Sequence, residues 1–190
     1  LLRTGHVSAA AGLNALTIFM ALLACALLVK DFDFNYVAQY SSRLLPWHYS
    51  LSALWVGQAG SRLLWTWMLG VLAVVFRHWA QKHATALRDP AFGILMAYCG
   101  FLTGTMVFAA DPMEANIAPG GEGAGLSPLL QHPAMLIHPP IVFLGYATWA
   151  VPCALAIAAL LKSTLDSTWV RIARPWTLFA WTVLGVGILL

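Results

Sequence analysis

The sequence predicts an all-α fold, a polytopic transmembrane helix bundle of about five spans. Apolar residues make up 61% of the 190 residues, and charged residues only 9%. A soluble domain carries about a quarter charged residues, so this chain has too little charge to coat a water-facing surface and lipid must cover part of it. Long uncharged apolar runs also divide the chain, and a spanning helix needs about 20 such residues.

The apolar runs define the spans in order along the chain. We expect them at about 7–29, 61–79, 91–110, 136–161 and 175–190, in a single transmembrane domain 1–190 with outer loops at 30–60 and 111–135. The second span contains the shortest run, 63–76, between Arg62 and Arg77. Long basic side chains can reach the interface from such positions, so we predict a span there, with a half-buried interfacial helix as the alternative.

The distribution of Lys and Arg predicts the orientation of the spans. Five crossings put seven basic residues on one side and three on the other, and the richer side is the cytoplasmic one. The N-terminus is therefore expected inside. The seven are Arg3, Arg77, Lys82, Arg88, Lys162, Arg171 and Arg174, and the three are Lys30, Arg43 and Arg62.

The two outer loops differ in pattern. Residues 46–60 mix aromatic and aliphatic side chains, among them Trp47 and Trp55, with small polar ones. This pattern predicts an amphipathic helix that lies on the outer membrane surface. The second loop has no Lys or Arg, and its Pro- and Gly-rich core, 119–125, predicts a flexible turn.

His138 is the side chain with the greatest chemical interest. It lies in an uncharged run that extends from Leu126 to Leu161, and an ionisable group at membrane depth is a functional hypothesis by default. Neutral imidazole is also a common ligand of haem iron. Pro139 and Pro140 fit the start of a helix, which places His138 at or just before the outer end of the fourth span. The alternative is an N-capping or hydrogen-bonded packing histidine.

The other reactive side chains form no recognised motif. The histidines at 6, 48, 78 and 83 precede a span or lie in loops, and the three cysteines lie singly in apolar runs without a Cys-x-x-Cys pair. The carboxylates offer no pair at helical spacing within a span, no proton relay and no metal cluster. The basic residues are too scattered for a nucleic-acid footprint.

Three segments together resemble the N-terminal half of the CcmF/NrfE family of haem lyase subunits. They are residues 33–46, residues 54–65, and residues 111–114 with 125–140. The last is the most specific, because it contains Leu-Leu-Gln-His-Pro at 129–133 and Leu-Ile-His-Pro-Pro at 136–140. The chain also begins without Met and ends within an apolar run, so we expect an internal part of a longer protein.

The resemblance implies a function in cytochrome c maturation, in which haem, as substrate, is attached to apocytochrome c by thioether bonds on the outer side of the membrane. In that family the His before Pro-Pro is an axial ligand of a b-type haem, and this position is His138. His132 and Trp55 are further candidates for haem contact, and the second axial ligand is expected from another part of the protein. The implied partners are a periplasmic haem chaperone, apocytochrome c with its thiol-handling subunit, and the remainder of the same protein, in a bacterial inner membrane or, as the less favoured alternative, a mitochondrial one.

Two features depart from the family pattern. The family's usual His-Glu pair before Gly60 and Ser61 is replaced by Gln58 and Ala59. The family's tryptophan-rich signature is absent and would follow the last span. A transporter for haem or another small molecule is the alternative function, and an assembly subunit without chemistry of its own is a third.

Overall fold

A computed structural model describes residues 2–118, 120–164 and 166–190, apart from the side chains of residues 2–7. Arg3, His6 and Pro119, which entered the predictions above, therefore lie outside the described side chains or residues. Two 3-10 turns, Ala53–Trp55 and Pro128–Leu130, interrupt the loops. The helices are α1 (Leu2–Val29), α2 (Asn35–Tyr40), α3 (Trp47–Ser52), α4 (Gln58–His83), α5 (Thr85–Ala109), α6 (Ala134–Leu161) and α7 (Ser167–Leu189).

Five of these helices are long and apolar enough to cross a membrane. Their spanning parts contain 22, 26, 25, 28 and 23 residues in α1, α4, α5, α6 and α7. At 1.5 Å per residue even the shortest reaches about 30 Å, the thickness of the hydrocarbon core. The predicted all-α transmembrane bundle is thereby confirmed, including a long helix where the second span was expected. The inside position of the N-terminus stays a prediction.

The chain forms two compact units. Unit 1 comprises Leu1–Leu64 and Thr103–Pro140, and unit 2 comprises Trp65–Leu102 and Ile141–Leu190. The core of unit 1 is apolar and includes Leu23, Leu27, Val37, Leu63 and Met106.

Aromatic contacts and a close helix–helix approach at a glycine stabilise the packing of unit 2. Trp176 of α7 packs against Phe76 and Trp79 of α4, with ring centroids 5.9 and 5.6 Å apart. A Cβ added at Gly145 of α6 would lie 2.9 Å from Leu184 of α7. Only a residue without a side chain allows the backbones of α6 and α7 to approach this closely.

Lys30 terminates α1 and organises the first outer loop. It adopts a left-handed φ of 62°, and the N–H of Asp31 donates to Ala26 O at 2.9 Å, which is the pattern of a Schellman cap. The Lys30 ammonium donates to Ser42 O at 2.8 Å, to Leu45 O at 2.7 Å and to Ser50 Oγ at 2.5 Å. Its three N–H groups are thus all used in tying the loop to α1.

The predicted single amphipathic helix over 46–60 is wrong. Helix α3 ends at Ser52, a 3-10 turn covers Ala53–Trp55, and Gln58 already begins α4. The segment is therefore a short helix followed by a tight turn into a spanning helix.

Tyr36 gives the physical reason for the break. Its buried hydroxyl donates to Ala53 O at 2.8 Å and accepts the N–H of Gly57 at 3.0 Å, so both backbone groups are withdrawn from a continuous helix ladder. The ring also fills the space beside Gly57 and Gly60, where any Cβ would collide with it. Burial raises the pKa of the Tyr36 hydroxyl, which keeps it protonated as a donor.

Residues 122–125 of the Gly-rich segment are hydrogen bonded to α2 and to the residues that follow it. Ala124 N donates to Ala38 O at 2.8 Å, and Gly125 N donates to Ser41 O at 3.0 Å. Glu122 accepts the N–H of Arg43 at 2.6 Å and forms an ion pair with its guanidinium at 3.5 Å. The expected turn glycine is present, since Gly125 has a φ of 78°, and residues 124–125 contact the end of α2. The flexibility of the segment stays a prediction.

A short backbone pairing joins the two outer loops a second time. Asn116 N donates to Asp33 O at 2.7 Å, and Asn35 N donates to Glu114 O at 2.9 Å. The amide of Asn116 adds a bond to Phe32 O at 2.8 Å. The two loops of unit 1 therefore form one folded layer, and this layer carries Trp55.

Candidate functional site

Helix α6 begins before His138. The prediction placed this histidine at the helix start, but α6 begins at Ala134, so His138 is one turn inside it. His132 explains the earlier start, because its Nδ1 accepts the N–H of Ala134 at 3.2 Å, as an N-capping side chain does. Its carbonyl also accepts the N–H of Met135 at 2.9 Å.

Two prolines in the second turn of α6 leave backbone carbonyls without their usual donors. Pro139 and Pro140 have no N–H, so the carbonyls of Met135 and Leu136 lose their i+4 partners within the helix. A buried carbonyl without a donor destabilises the fold by about 1–3 kcal/mol. An outside donor is therefore needed next to His138.

Trp55 supplies one of these donors. Its indole Nε1 donates to Met135 O at 2.7 Å, and the carbonyl that Pro139 cannot reach is thereby satisfied. Met135 precedes His138 by three positions, so the two lie on the same face of α6. The Trp55 indole thus binds the backbone of the α6 turn that leads to His138.

The position of Trp55 is itself fixed by the start of α4. Ser61 Oγ donates to Trp55 O at 2.8 Å, and Tyr36 holds the preceding Ala53 carbonyl. The backbone carbonyl of Trp55 and its indole N–H are thus both hydrogen bonded. Sequence reasoning missed Ser61 and Tyr36, but the missing N–H of Pro139 was a readable signal that Met135 needs an external donor.

His138 itself is half-buried in the apolar first turns of α6. Within the described ranges, no group of three or more His, Cys, Asp or Glu side chains is placed to hold a metal ion. The described residues therefore do not by themselves supply the three or more such side chains of a closed protein metal site. His132 is exposed and uses its Nδ1 in capping, which leaves Nε2 for any contact; its ligand role stays a prediction.

The remaining histidines that the structure describes have local partners. His48 lies between Trp47 and Tyr49, with ring centroids 5.7 and 4.4 Å away. His83 stacks on Trp79 at 4.7 Å. His78 Nδ1 lies 3.0 Å from the carbonyl oxygen one helical turn before it.

The residues that replace the family's usual His-Glu pair have different surroundings. Gln58 is exposed at the first position of α4, whereas Ala59 belongs to the apolar core of unit 1. A carboxylate at position 59 would have to lose its hydration within an apolar core, which is unfavourable. The alanine therefore suits the packing of this chain.

Five helices long and apolar enough to cross a membrane define a polytopic integral membrane protein, and the loops of unit 1 are hydrogen bonded to one another. The family model described as "Cytochrome C assembly protein" matches residues 55–190. The chain belongs to this family, and the match includes both Trp55 and His138.

Relatives and a solved structure agree with that assignment. The probable cytochrome c-type biogenesis protein NrfE of Escherichia coli K12 is 35% identical over 179 residues, which are 92% of this chain and 32% of the relative. The cytochrome c-type biogenesis protein CcmF of Pseudomonas aeruginosa is 37% identical over 170 residues, 88% of this chain and 26% of the relative. The solved structure titled "Cytochrome c Heme Lyase CcmF" aligns with a TM-score of 0.80 at 28% identity, over 98% of this chain and 29% of that one.

The resemblance seen in the three sequence segments is thereby confirmed. The chain spans about a third or less of the length of these relatives. The activity of the whole relatives is therefore a matter for proposal.

Proposed function

We propose that the protein acts in cytochrome c maturation as part of a haem lyase. In this reaction each cysteine thiol of apocytochrome c adds across a haem vinyl group. The sulfur bonds to one vinyl carbon and the thiol hydrogen is transferred to the other, so the addition needs no leaving group. The observation that carries the proposal is the likeness over nearly the whole chain to CcmF and NrfE proteins, in sequence and in fold.

His138 is proposed as an axial ligand of a structural b-type haem. The fit rests on three features of this chain. The imidazole is half-buried on an apolar helix, the carbonyl of Met135 in the preceding turn is already satisfied by Trp55, and the run 126–161 has no Asp, Glu, Lys or Arg, so its surroundings suit an apolar macrocycle. A bound haem would supply a one-electron relay, which suits a reaction that needs reduced substrate iron.

The residues around the start of α6 are proposed to position His138 and not to take part in the reaction themselves. Trp55 pins the turn that carries the imidazole, and Ser61 pins Trp55. Lys30 and Tyr36 hold the loop from which Trp55 projects. This arrangement holds the backbone turn that precedes His138 before any haem binds, so less conformational entropy has to be lost on binding. His132 and Trp55 remain candidates for direct haem contact.

The partners and location follow from the same function. The haem donor is proposed to be a periplasmic haem chaperone, and the acceptor is apocytochrome c with its thiol-handling subunit. The bacterial inner membrane is the proposed location, with the His138 end of α6 on the outer side. The second axial ligand is proposed to come from outside the described residues.

Substitution of His138 tests the ligand assignment. In the complete gene product, His138→Ala is expected to abolish the b-type haem absorbance of the purified protein. His48→Ala is the matched control, because the ring contacts of His48 are with its chain neighbours Trp47 and Tyr49, and the spectrum of this variant should be unchanged. A normal haem spectrum in His138→Ala would overturn the assignment.

A maturation assay tests the function itself. The complete gene product is expected to restore covalent haem attachment to a c-type cytochrome in a bacterial strain that lacks its own CcmF. Covalent haem is measured by haem staining after denaturing electrophoresis. If the membrane-inserted protein restores none, while haem uptake into liposomes is observed, the transporter alternative replaces the lyase proposal.

A further inference from the structure

An open cavity lies between α6 and the first turns of α7, within unit 2. Its volume is about 690 Å³, inside the range of about 300–1,000 Å³ that is usual for ligand sites. The two helices also approach each other closely where Gly145 lies against Leu184 and Gly187 lies against Val142. Pro152 of α6, one of the lining residues, lies about two turns from Gly145.

Two arginines line the cavity on α7. Arg171 and Arg174 are three positions apart and therefore neighbours on the helix surface. Both are exposed, and in the part of the chain that the structure describes neither has an ion-pair partner. The carboxylate nearest in sequence, Asp166, is already engaged as the N-cap of α7, where it accepts from Thr168 N at 3.2 Å and from Thr168 Oγ1 at 2.8 Å.

The cavity lining combines basic and polar groups with apolar side chains. Ser167, Arg171, Arg174 and Thr177 supply the polar groups, and Leu178 and Pro152 are among the apolar residues of the lining. Arg171 and Leu178 are seven residues apart, which is about 10 Å along a helix. Trp169 also lines the cavity, and tryptophan is typical of the membrane–water interface. The lining thus matches a molecule with an anionic head and an apolar tail.

We propose that this cavity binds one anionic phospholipid, with its phosphate on Arg171 and Arg174 and an acyl chain along Pro152 and Leu178. Guanidinium groups bind phosphate oxygens in paired hydrogen bonds, and the N-terminal end of α7 adds a favourable partial positive charge. Basic pockets between spanning helices on the cytoplasmic side are suited to such headgroups, and the distribution of Lys and Arg predicts that side here. The proposal does not depend on the haem lyase function.

The test compares lipid retention by charge variants of the complete gene product. The double variant R171Q/R174Q removes both phosphate ligands. The matched control K82Q/K162Q removes the same charge from the same predicted membrane side, and neither of its residues lines the cavity. Each protein is purified in mild detergent from membranes that contain phosphatidylglycerol and phosphatidylcholine, and bound lipid is counted by native mass spectrometry.

The wild type and the control are expected to retain about one phosphatidylglycerol per chain, and the double variant at least fivefold less. Equal retention by the double variant, or equal retention of phosphatidylcholine by the wild type, would overturn the proposal. Thermal stability of the wild type provides a second measurement that needs no variant. Added phosphatidylglycerol should raise the melting temperature more than phosphatidylcholine does, and an equal rise with inorganic phosphate alone would identify a free-anion site instead.

Discussion

The hydrogen bond between Trp55 and Met135 makes a quantitative prediction about the start of α6. The bond is 2.7 Å long and partly buried. Trp55→Phe removes the donor and keeps an aromatic ring, so the main loss is a carbonyl left without a partner. We expect the opening free energy of the α6 start to fall by about 1–3 kcal/mol.

Trp55 donates to a carbonyl that Pro139, which has no N–H, leaves without its usual helical partner. The effect of Trp55→Phe should therefore depend on the residue at position 139. Pro139→Ala restores an N–H that can reach Met135 O within the helix. In that background Trp55→Phe should cost less than about 1 kcal/mol, so the two substitutions should be non-additive by about 1–2 kcal/mol.

Local hydrogen exchange measures this effect without unfolding the whole protein. For peptides that cover the first turns of α6, Trp55→Phe should speed exchange by about 5-fold to 150-fold, since each 1.4 kcal/mol is a factor of ten. Trp47→Phe is the control, because Trp47 is 69% exposed and lies outside this contact. If Trp55→Phe accelerates exchange equally in the wild type and in the Pro139→Ala background, the proposed compensation for the missing proline N–H is refuted.

Three further predictions concern other contacts of the fold. Tyr36→Phe should destabilise the outer-loop layer by about 1–3 kcal/mol. Burial also raises the pKa of Tyr36 above 10.0, so beyond a pH of about 10 the unfolded state releases this proton more readily than the folded state. The wild type should therefore lose a stability contribution in this pH range that the Tyr36→Phe variant does not have. Lys30→Met removes a donor to three acceptors and should lower the melting temperature and speed proteolysis of the first outer loop, whereas unchanged proteolysis would argue against its tethering role. Gly145→Ala should destabilise the contact of α6 with α7 by about 1–3 kcal/mol through overpacking, whereas Gly185→Ala, where nothing lies within 4 Å, should be neutral or stabilising; equal effects of the two would contradict the close approach at Leu184.

The long helices could be predicted from the sequence because their signal is local. A run such as 136–161 is long, uncharged and apolar, and only a helix satisfies its backbone within lipid. The same locality explains why helix ends were less well predicted. The prolines at 139 and 140 favour a helix start, and the opposing preference, capping of Ala134 by His132, is visible only in three dimensions.

The amphipathic helix predicted over 46–60 shows a different limit. Its composition fits a surface helix, but the hydroxyl of Tyr36 takes the backbone groups of Ala53 and Gly57. Tyr36 lies 17 positions before Ala53. No pattern within the segment reveals that a distant side chain competes for its hydrogen bonds.

The sequence by itself determined that this is an integral membrane protein of five apolar helices, and its motifs placed it in the cytochrome c assembly family with His138 as the candidate ligand. Hydropathy and short motifs are properties of neighbouring residues, so they can be read along the chain. Only the tertiary structure decided that Trp55 completes the turn beside His138, because those partners, Trp55 and Met135, are 80 positions apart. A buried carbonyl needs some donor, but the chain's path through space decides which residue provides it.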